Sequence, residues 1–427
     1  MIQIVQSTLN LLNQSDFIDK HRTSKKAFTR TRKLPFKTLC LFLLSLIKGS
    51  LQDELDAFFQ LFNDADYEER FVTKSALSQA RQYLSPTAFC ELSDHFVQQY
   101  YTHGDIKKWH GFRLCAVDGS TLRLPDHDDL KDYFGGQKAG EGFSTLAQIS
   151  ECYDVLNGLT LDLQLAPYKS AERDLAALHL KKTTNRDLML YDRGYTGFWS
   201  FALHRHHQRE FCMRVPVELC PVIAEFTRSR YKDRIVTLKA NKAAKTICRR
   251  LGISFDPIEI RLIKIVLSTG EIEVLATTLV DKNSFPHEIF KDLYHLRWGI
   301  EEDYKRLKLR FEIENFSGLS VHAIKQDVFA KVLVKNISMA TVALAQPIVE
   351  QQYTNRKHHY QVNVTQAVSK MKYFILKLVT HYNPIALIEK FIDVLVETVE
   401  PIRKGRSFAR KENKSRKRFA MNYKRTR

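Results

Sequence analysis

Two aspartates stand where an acid is expensive. Asp118 closes the apolar run "LCAVD" and precedes Gly119, while Asp192 closes "LMLYD" two residues before Gly194. A carboxylate at the end of a buried strand is costly unless it is paired or binds a metal. Either aspartate alone could instead be a turn former, since Asp beside Gly is ordinary turn chemistry. A third acid, Glu301, lies in "YHLRWGIEEDYKRLK", Tyr294 to Lys308. On a helix advancing 100° per residue, Tyr294, Arg297, Glu301 and Lys308 fall within about 60° of one another, and Lys305 shares their stripe. Glu302 and Asp303 point elsewhere and read as solvated surface acids. Three hard oxygen donors suit Mg²⁺ or Mn²⁺, with phosphate and water completing the shell. Two such ions about 4 Å apart can activate an attacking oxygen and stabilise the leaving one in phosphodiester cleavage. Beside the acids, Arg297 offers a planar fork for phosphate, Lys308 a point charge, and Tyr294 a hydroxyl and a ring.

The surrounding elements predict how these residues are held. Residues 1–105 read as a helical domain. Within it, "RTSKKAFTRTRK" is a basic stretch, and "VTKSALSQARQYL" predicts a short helix capped by Thr73 or Ser75. That helix carries Lys74, Ser78, Gln79, Arg81 and Gln82. It suits a DNA major groove, with an ordinary solvated basic face as the alternative. From 106 to 216 the pattern is three strands, a helix, a strand, a helix and a strand. Two of the strands flank Asn157-Gly158, a strong hairpin signal. Residues 217–282 carry three strands and read as a β-rich insertion, with a turn at Ser268 to Gly270. Helices resume over 283–345 and 346–400. The expected class is therefore α/β, a mixed sheet with helices packed on it.

Composition narrows the partners. The chain has 427 residues and a formal net charge of +18, with 44% hydrophobic and 27% charged residues, so it is globular and favours a polyanion. The stretch 401–427 holds twelve Lys or Arg from Arg403 onward against one acid, Glu412, with Phe408, Phe419 and Tyr423 interleaved. It reads as a disordered arm for phosphates, a solubilising tail being the alternative. Seven scattered cysteines without a CxxC pair point to a reducing compartment rather than a disulfide framework or a structural zinc. The N-terminus lacks the pattern of a signal peptide. "TLCLFLLSLI", Thr38 to Ile47, is about half the length that spans a bilayer and reads as a buried helix. No membrane partner is expected. The histidines of "HRHH" (His204, Arg205, His206, His207) diverge by 100° per step and do not converge on one ion. Glu172, after a strand, reads as a capping acid or one that supports the ligands from behind.

Taken in order, these stretches resemble bacterial insertion-sequence transposases of the DDE type, in the fourth insertion-sequence family. "YHLRWGIEEDYKRLK" matches the family's Y-x2-R-x3-E-x6-K signature. "AVDGSTLRLP" resembles its first-aspartate motif and "YDRGYTG" its second, while "RKLPF" and "VTKSALSQARQYLSPTAF" resemble stretches upstream. The resemblance covers about 30 to 345. It implies a ribonuclease-H-like core, with Asp118 on the first strand, Asp192 after the fourth, and Glu301 on a helix after the insertion. It makes Asp118, Asp192 and Glu301 the catalytic ligands of Mg²⁺ or Mn²⁺, two ions in all. It makes Tyr294, Arg297, Lys305 and Lys308 contacts to transposon-end phosphates, and Arg193 a DNA contact or a brace for Asp192. The implied activity is cut-and-paste transposition by a bacterial cytoplasmic, nucleoid-associated protein. The implied partners are double-stranded DNA, as inverted-repeat ends and target, and a second copy of the chain. Some relatives hold a flipped base in an aromatic pocket; no such pocket is assignable from this sequence. Two alternatives share the core: a DNA-binding relative that does not cut, and a nuclease without strand transfer.

Overall fold

The computed structural model describes residues 1–30, 32–139, 142–267, 269–380 and 384–403. The basic tail from 404 onward and Ser268 lie outside them. The chain divides into two compact units. One joins Met1–Asp105, Leu122–Ala147 and Lys305–Arg427; the other joins Ile106–Thr121 and Gln148–Tyr304.

The first unit opens with six helices: α1 (Ile2–Asn10), α2 (Ser15–His21), α3 (Phe36–Leu44), α4 (Leu51–Phe62), α5 (Lys74–Arg81) and α6 (Thr87–His103). The apolar run from Thr38 supplies α3, where every residue except Lys37 is buried. Thr73 caps α5 as expected, its hydroxyl accepting from the Ala76 N–H at 3.2 Å. Arg81 does not join the polar face of α5. It is 5% exposed and donates to Asp327 Oδ1 at 2.7 Å, Ser317 Oγ at 2.7 Å, Gln326 Oε1 at 2.9 Å and the Ala323 carbonyl at 3.1 Å. A guanidinium this enclosed is held by the donors it must satisfy, which removes it from the solvent face that carries Lys74, Ser78, Gln79 and Gln82.

In the second unit the core sheet begins with β1 (Arg113–Arg123). After β1 come α7 (Asp128–Phe134) and β2 (Gly136–Ala139), both in the first unit, where β2 pairs with the start of β3 (Gly142–Asp154). β4 (Leu159–Pro167) pairs with β3 around the expected Asn157-Gly158 turn. Asp154 ties that turn, accepting from the Leu156 and Asn157 N–H groups at 3.0 and 3.2 Å, and Gly158 takes φ +74°. Then follow α8 (Glu172–His179), β5 (Asp187–Tyr191), α9 (Phe198–His207) and β6 (Glu210–Val215). The insertion supplies α10 (Pro221–Arg228), β7 (Asp233–Leu238), α11 (Lys242–Leu251), β8 (Ile258–Val266) and β9 (Ile272–Thr277). The sheet runs β4-β3-β1-β5-β6-β9-β8-β7; β1, β5 and β6 are parallel, while β9, β8 and β7 extend it antiparallel from β6. This is the expected α/β class: a mixed sheet to which the segment 217–282 adds an antiparallel edge. The three insertion strands are as expected, and α10 and α11 are additional to them.

A buried arginine braces that edge. Arg261 on β8 has no exposed surface and grips both oxygens of Asp233 at 3.0 and 2.7 Å. It also donates to the Leu279 and Phe285 carbonyls, at 3.0 and 2.7 Å, and lies over the Phe290 ring. Arg261→Ala is expected to destabilise the protein by roughly 2–4 kcal/mol, because it takes the donor from two carbonyls and leaves Asp233 only the half-exposed Lys282, 3.3 Å away. Arg261→Lys should recover little, since an ammonium cannot reproduce the fork. Thermal melts of the three proteins check this; a Lys variant melting with the wild type would contradict it.

The remaining helices are α12 (Ile289–Leu296), α13 (Gly299–Leu309), α14 (Val321–Gln352), α15 (Val364–Thr380) and α16 (Pro384–Glu397), with a two-stranded ladder of β10 (His359–Val362) and β11 (Val399–Ile402). Among the described residues α14 is the one helix long and apolar enough to cross a bilayer, and 83% of its most apolar window is buried. It packs against α3, α6, α15 and α16 of its own unit.

Candidate active site

The two aspartates are brought together by strand register. β1 and β5 are buried parallel neighbours, and Val117 is paired with Tyr191. The next residue along each is an aspartate, so Asp118 and Asp192 follow side by side where the β1–β5 ladder ends, although β1 itself runs on to Arg123. Such edges are where open α/β sheets bind ligands. The apolar runs before them are dictated by this placement, because a parallel strand covered on both faces must be apolar throughout.

The helix expected to carry the third acid is not continuous. α12 ends at Leu296 and α13 begins at Gly299. Between them the bonds tighten to i−3: Arg297 N–H to the Tyr294 carbonyl, Trp298 to His295, Ile300 to Arg297 and Glu301 to Trp298, at 3.1–3.3 Å. Three residues per turn bring i and i+3 into line, so the single 100° stripe does not describe Tyr294 through Lys308. Gly299 sits where the added Cβ would touch Val155 at 3.5 Å. Arg297 and Glu301 still meet, with Nη2 to Oε1 at 2.9 Å. Lys305 and Lys308 follow one and two turns beyond Glu301 on α13, Lys305 exposed and Lys308 partly buried. Asp303, expected at the surface, is fully buried, whereas Glu302 is exposed as expected.

Around Arg297 the charges converge. The guanidinium is 5% exposed. Burial works against its charge, yet Tyr294, Glu301, Asp192 and Asp118 together raise its proton affinity. Its Nε is buried without a hydrogen-bond partner among the described atoms. The Tyr294 hydroxyl donates to the Tyr191 carbonyl at 3.3 Å and lies 3.5 Å from Asp192 Oδ1. Burial pushes the Asp118 carboxyl up to about 6; the Gly119 N–H, 2.9 Å away, and Arg297 pull it back, while Glu301 and Glu172 push it further up. Tyr304 donates to the Asp118 carbonyl at 2.8 Å, tying β1 to α13 just past the end of the β1–β5 ladder.

Glu172, at the start of α8, accepts from Gln148 Nε2 at 3.0 Å. A Cβ at position 119 would lie 2.9 Å from its Oε1, so the glycine after Asp118 lets that carboxylate approach. Arg193 is exposed, and no described contact joins its side chain to Asp192. His204 is buried, bonding the Ser200 carbonyl at 2.8 Å and the Tyr191 hydroxyl at 3.1 Å; burial pushes its imidazole down to about 4.

The donor set fits a divalent cation chemically: hard carboxylate oxygens, with the Asp118 carboxyl raised first by burial and further by Glu301 and Glu172. As the side chains stand, no three potential ligands among the described residues are close enough to share an ion. Glu301 is drawn to Arg297 instead.

The family described as "Transposase DDE domain" matches residues 109–337, more than half of the chain. The chain belongs to the DDE transposase family. The matched region contains all three acids and the tyrosine, arginine and lysines of α12 and α13. Among curated proteins, this DDE transposase is similar to "Transposase InsG for insertion sequence element IS4" of Escherichia coli K12, with 26% identity over 291 residues, 65% of this chain and 63% of InsG. It is also similar to "Putative transposase InsZ" of the same organism, with 24% identity over 174 residues, 40% of this chain. It thus spans 63% and 57% of the lengths of these two relatives. Among solved structures, a piggyBac transposase synaptic complex with hairpin DNA aligns over 94% of this chain and 87% of its own, with 9% identity and a TM-score of 0.45. That likeness is too weak to bear on the site.

Proposed function

We propose that the chain is the transposase of an insertion sequence. It binds the terminal inverted repeats of its element, hydrolyses a phosphodiester at each end, and joins the freed 3′-hydroxyl to target DNA. The observation that carries this reading is the pairing of Val117 with Tyr191, which sets Asp118 beside Asp192, with Glu301 held close by through Arg297. Asp118, Asp192 and Glu301 would hold Mg²⁺ or Mn²⁺, two ions in all. When bound, these ions supply activation of the attacking oxygen and stabilisation of the leaving one.

The chain's own groups do the rest. In cleavage, water adds to the end phosphorus, the bond to the 3′-oxygen breaks, and that oxygen leaves as a hydroxyl. In joining, that hydroxyl adds to a target phosphorus and displaces a target 3′-oxygen. Arg297 is suited to the non-bridging oxygens: it is buried, charged and has a free donor at Nε. A phosphate there competes with Glu301 for the guanidinium and frees the carboxylate toward the aspartates. Tyr294, Lys305 and Lys308 complete the phosphate contacts, and the exposed Arg193 adds one beside Asp192. Residues 1–105 serve DNA binding, and 346–400 serve contact with a second copy, since two ends need two active sites. The working place is the bacterial nucleoid, in the cytoplasm.

Arg297→Ala tests the clamp. Cleavage of a duplex carrying the element's end should fall on the order of a hundredfold or more, because a preorganised cation at the reacting phosphate is lost. Arg297→Lys should remain well below wild type. Cleavage and joining are read on gels with end-labelled DNA; an Arg297→Ala enzyme cutting at the normal rate would remove the residue from the reaction.

A further inference from the structure

The first unit contains a groove of about 870 Å³ between the segment 24–34 and the region of α5. Its buried floor includes Ala27, Leu34 and Val72, and its rim carries the exposed rings of Phe71 and Tyr83. The segment is fastened to the end of α5: Thr23 N–H donates to the Tyr83 carbonyl at 2.9 Å, Thr23 Oγ1 to the Gln82 carbonyl at 3.2 Å, and Arg22 bridges Leu84. Lys33 lies over the Phe71 ring at 4.4 Å and donates to the Phe71 carbonyl at 3.2 Å, closing one side.

Four cations line this groove, Lys26, Arg30, Arg32 and Lys33, and no acid does. Among the described residues Lys26, Arg30 and Arg32 are all exposed and none is engaged in an ion pair. Holding like charges together without counter-ions costs folding energy, which a polyanion across the groove returns. Gln79, Gln82 and Thr29 add neutral hydrogen-bonding groups to the walls. We propose that this groove grips the phosphate backbone of duplex DNA, with Lys26, Arg30 and Arg32 on the phosphates and the Tyr83 ring against the adjoining sugar. The proposal rests on the transposase reading and gives it a binding surface. It moves the contact from the helical face expected to enter a major groove to the concavity beside it.

The test uses the full chain. Binding to a fluorescein-labelled duplex carrying the element's end is followed by anisotropy across a salt series, for wild type and for K26A/R30A/R32A. Each phosphate contact contributes about 0.9 to the slope of log K against log salt, so the variant should lose roughly 2–3 of that slope. Affinity should fall at least about tenfold at moderate salt. Lysine acetylation of the wild type, read by mass spectrometry, gives a second measurement that needs no variant: Lys26 should be protected by duplex. If wild type binds duplex while the variant keeps the full slope and Lys26 stays reactive, the groove assignment is overturned and the proposed function stands. If wild type binds no duplex at any salt, the proposed function fails and the groove with it. Stronger binding of single-stranded RNA or polyglutamate in the groove would overturn the choice of DNA.

Discussion

Asp118→Asn is expected to lose strand cleavage and joining by at least about a thousandfold, on the order of 4 kcal/mol of transition-state stabilisation, while end binding is retained. The same change should make the metal-free protein more stable at neutral pH. The sign follows from the raised carboxyl. Its ordinary value of 3.8 rises to about 6 in the folded protein, so the folded state holds the proton more tightly than the unfolded one. Asp118 therefore costs no stability below pH 3.8, costs progressively more as pH rises toward 6, and costs the full amount above it. Two units at 1.36 kcal/mol each bound that cost at about 3 kcal/mol. Asn carries no charge to desolvate. Its melting temperature should match the wild type's near pH 4 and exceed it at pH 7.5, with the gap closing when Mn²⁺ is added. A gap that is independent of pH would show that the carboxylate is not the strained group.

Arg81→Ala carries a large expected loss of stability, roughly 3–5 kcal/mol, because it leaves the buried Asp327 carboxyl without its guanidinium partner. Asp327 would keep Ser317, whose N–H and hydroxyl reach it at 2.6–2.9 Å, but those neutral donors do not balance a charge. Asp327→Asn should cost less when combined with Arg81→Ala than when made alone, a coupling read from a double-mutant cycle of denaturant midpoints. Additive losses would mean that the two side chains do not depend on each other.

These two residues mark what sequence can and cannot supply. The buried strands leading to Asp118 and Asp192 were legible because their setting is local: an apolar run, an acid and a glycine, twice over. The Asn157-Gly158 hairpin and the three insertion strands were legible for the same reason. Arg81 was not, because its partners lie more than two hundred residues along the chain, and a polar stripe on a short helix gives no warning that one member turns inward. Asp303 escaped similarly. Helical angles place it away from Glu301, but they do not say that this second direction is also core. The break at Arg297–Trp298 was invisible to a fixed 100° step, since that step assumes i−4 bonds throughout and no proline marks the change to i−3. α11 did leave a signal. Asn241 caps it, accepting from the Ala244 N–H at 2.8 Å, and Gly252 stops it at φ +67°. The strands on either side drew the segment into a β-rich reading.

On the proposed mechanism, three carboxylates remote in sequence serve the same divalent ions. Electron paramagnetic resonance of Mn²⁺, titrated into the wild type, Asp118→Asn, Asp192→Asn and Glu301→Gln with end DNA present, tests it directly. Each substitution should weaken Mn²⁺ binding by at least about tenfold, since even the loss of a group that only supports a ligand typically costs ten- to a hundredfold. Mn²⁺ binding that is unchanged in all three variants, with each protein folded, would contradict it.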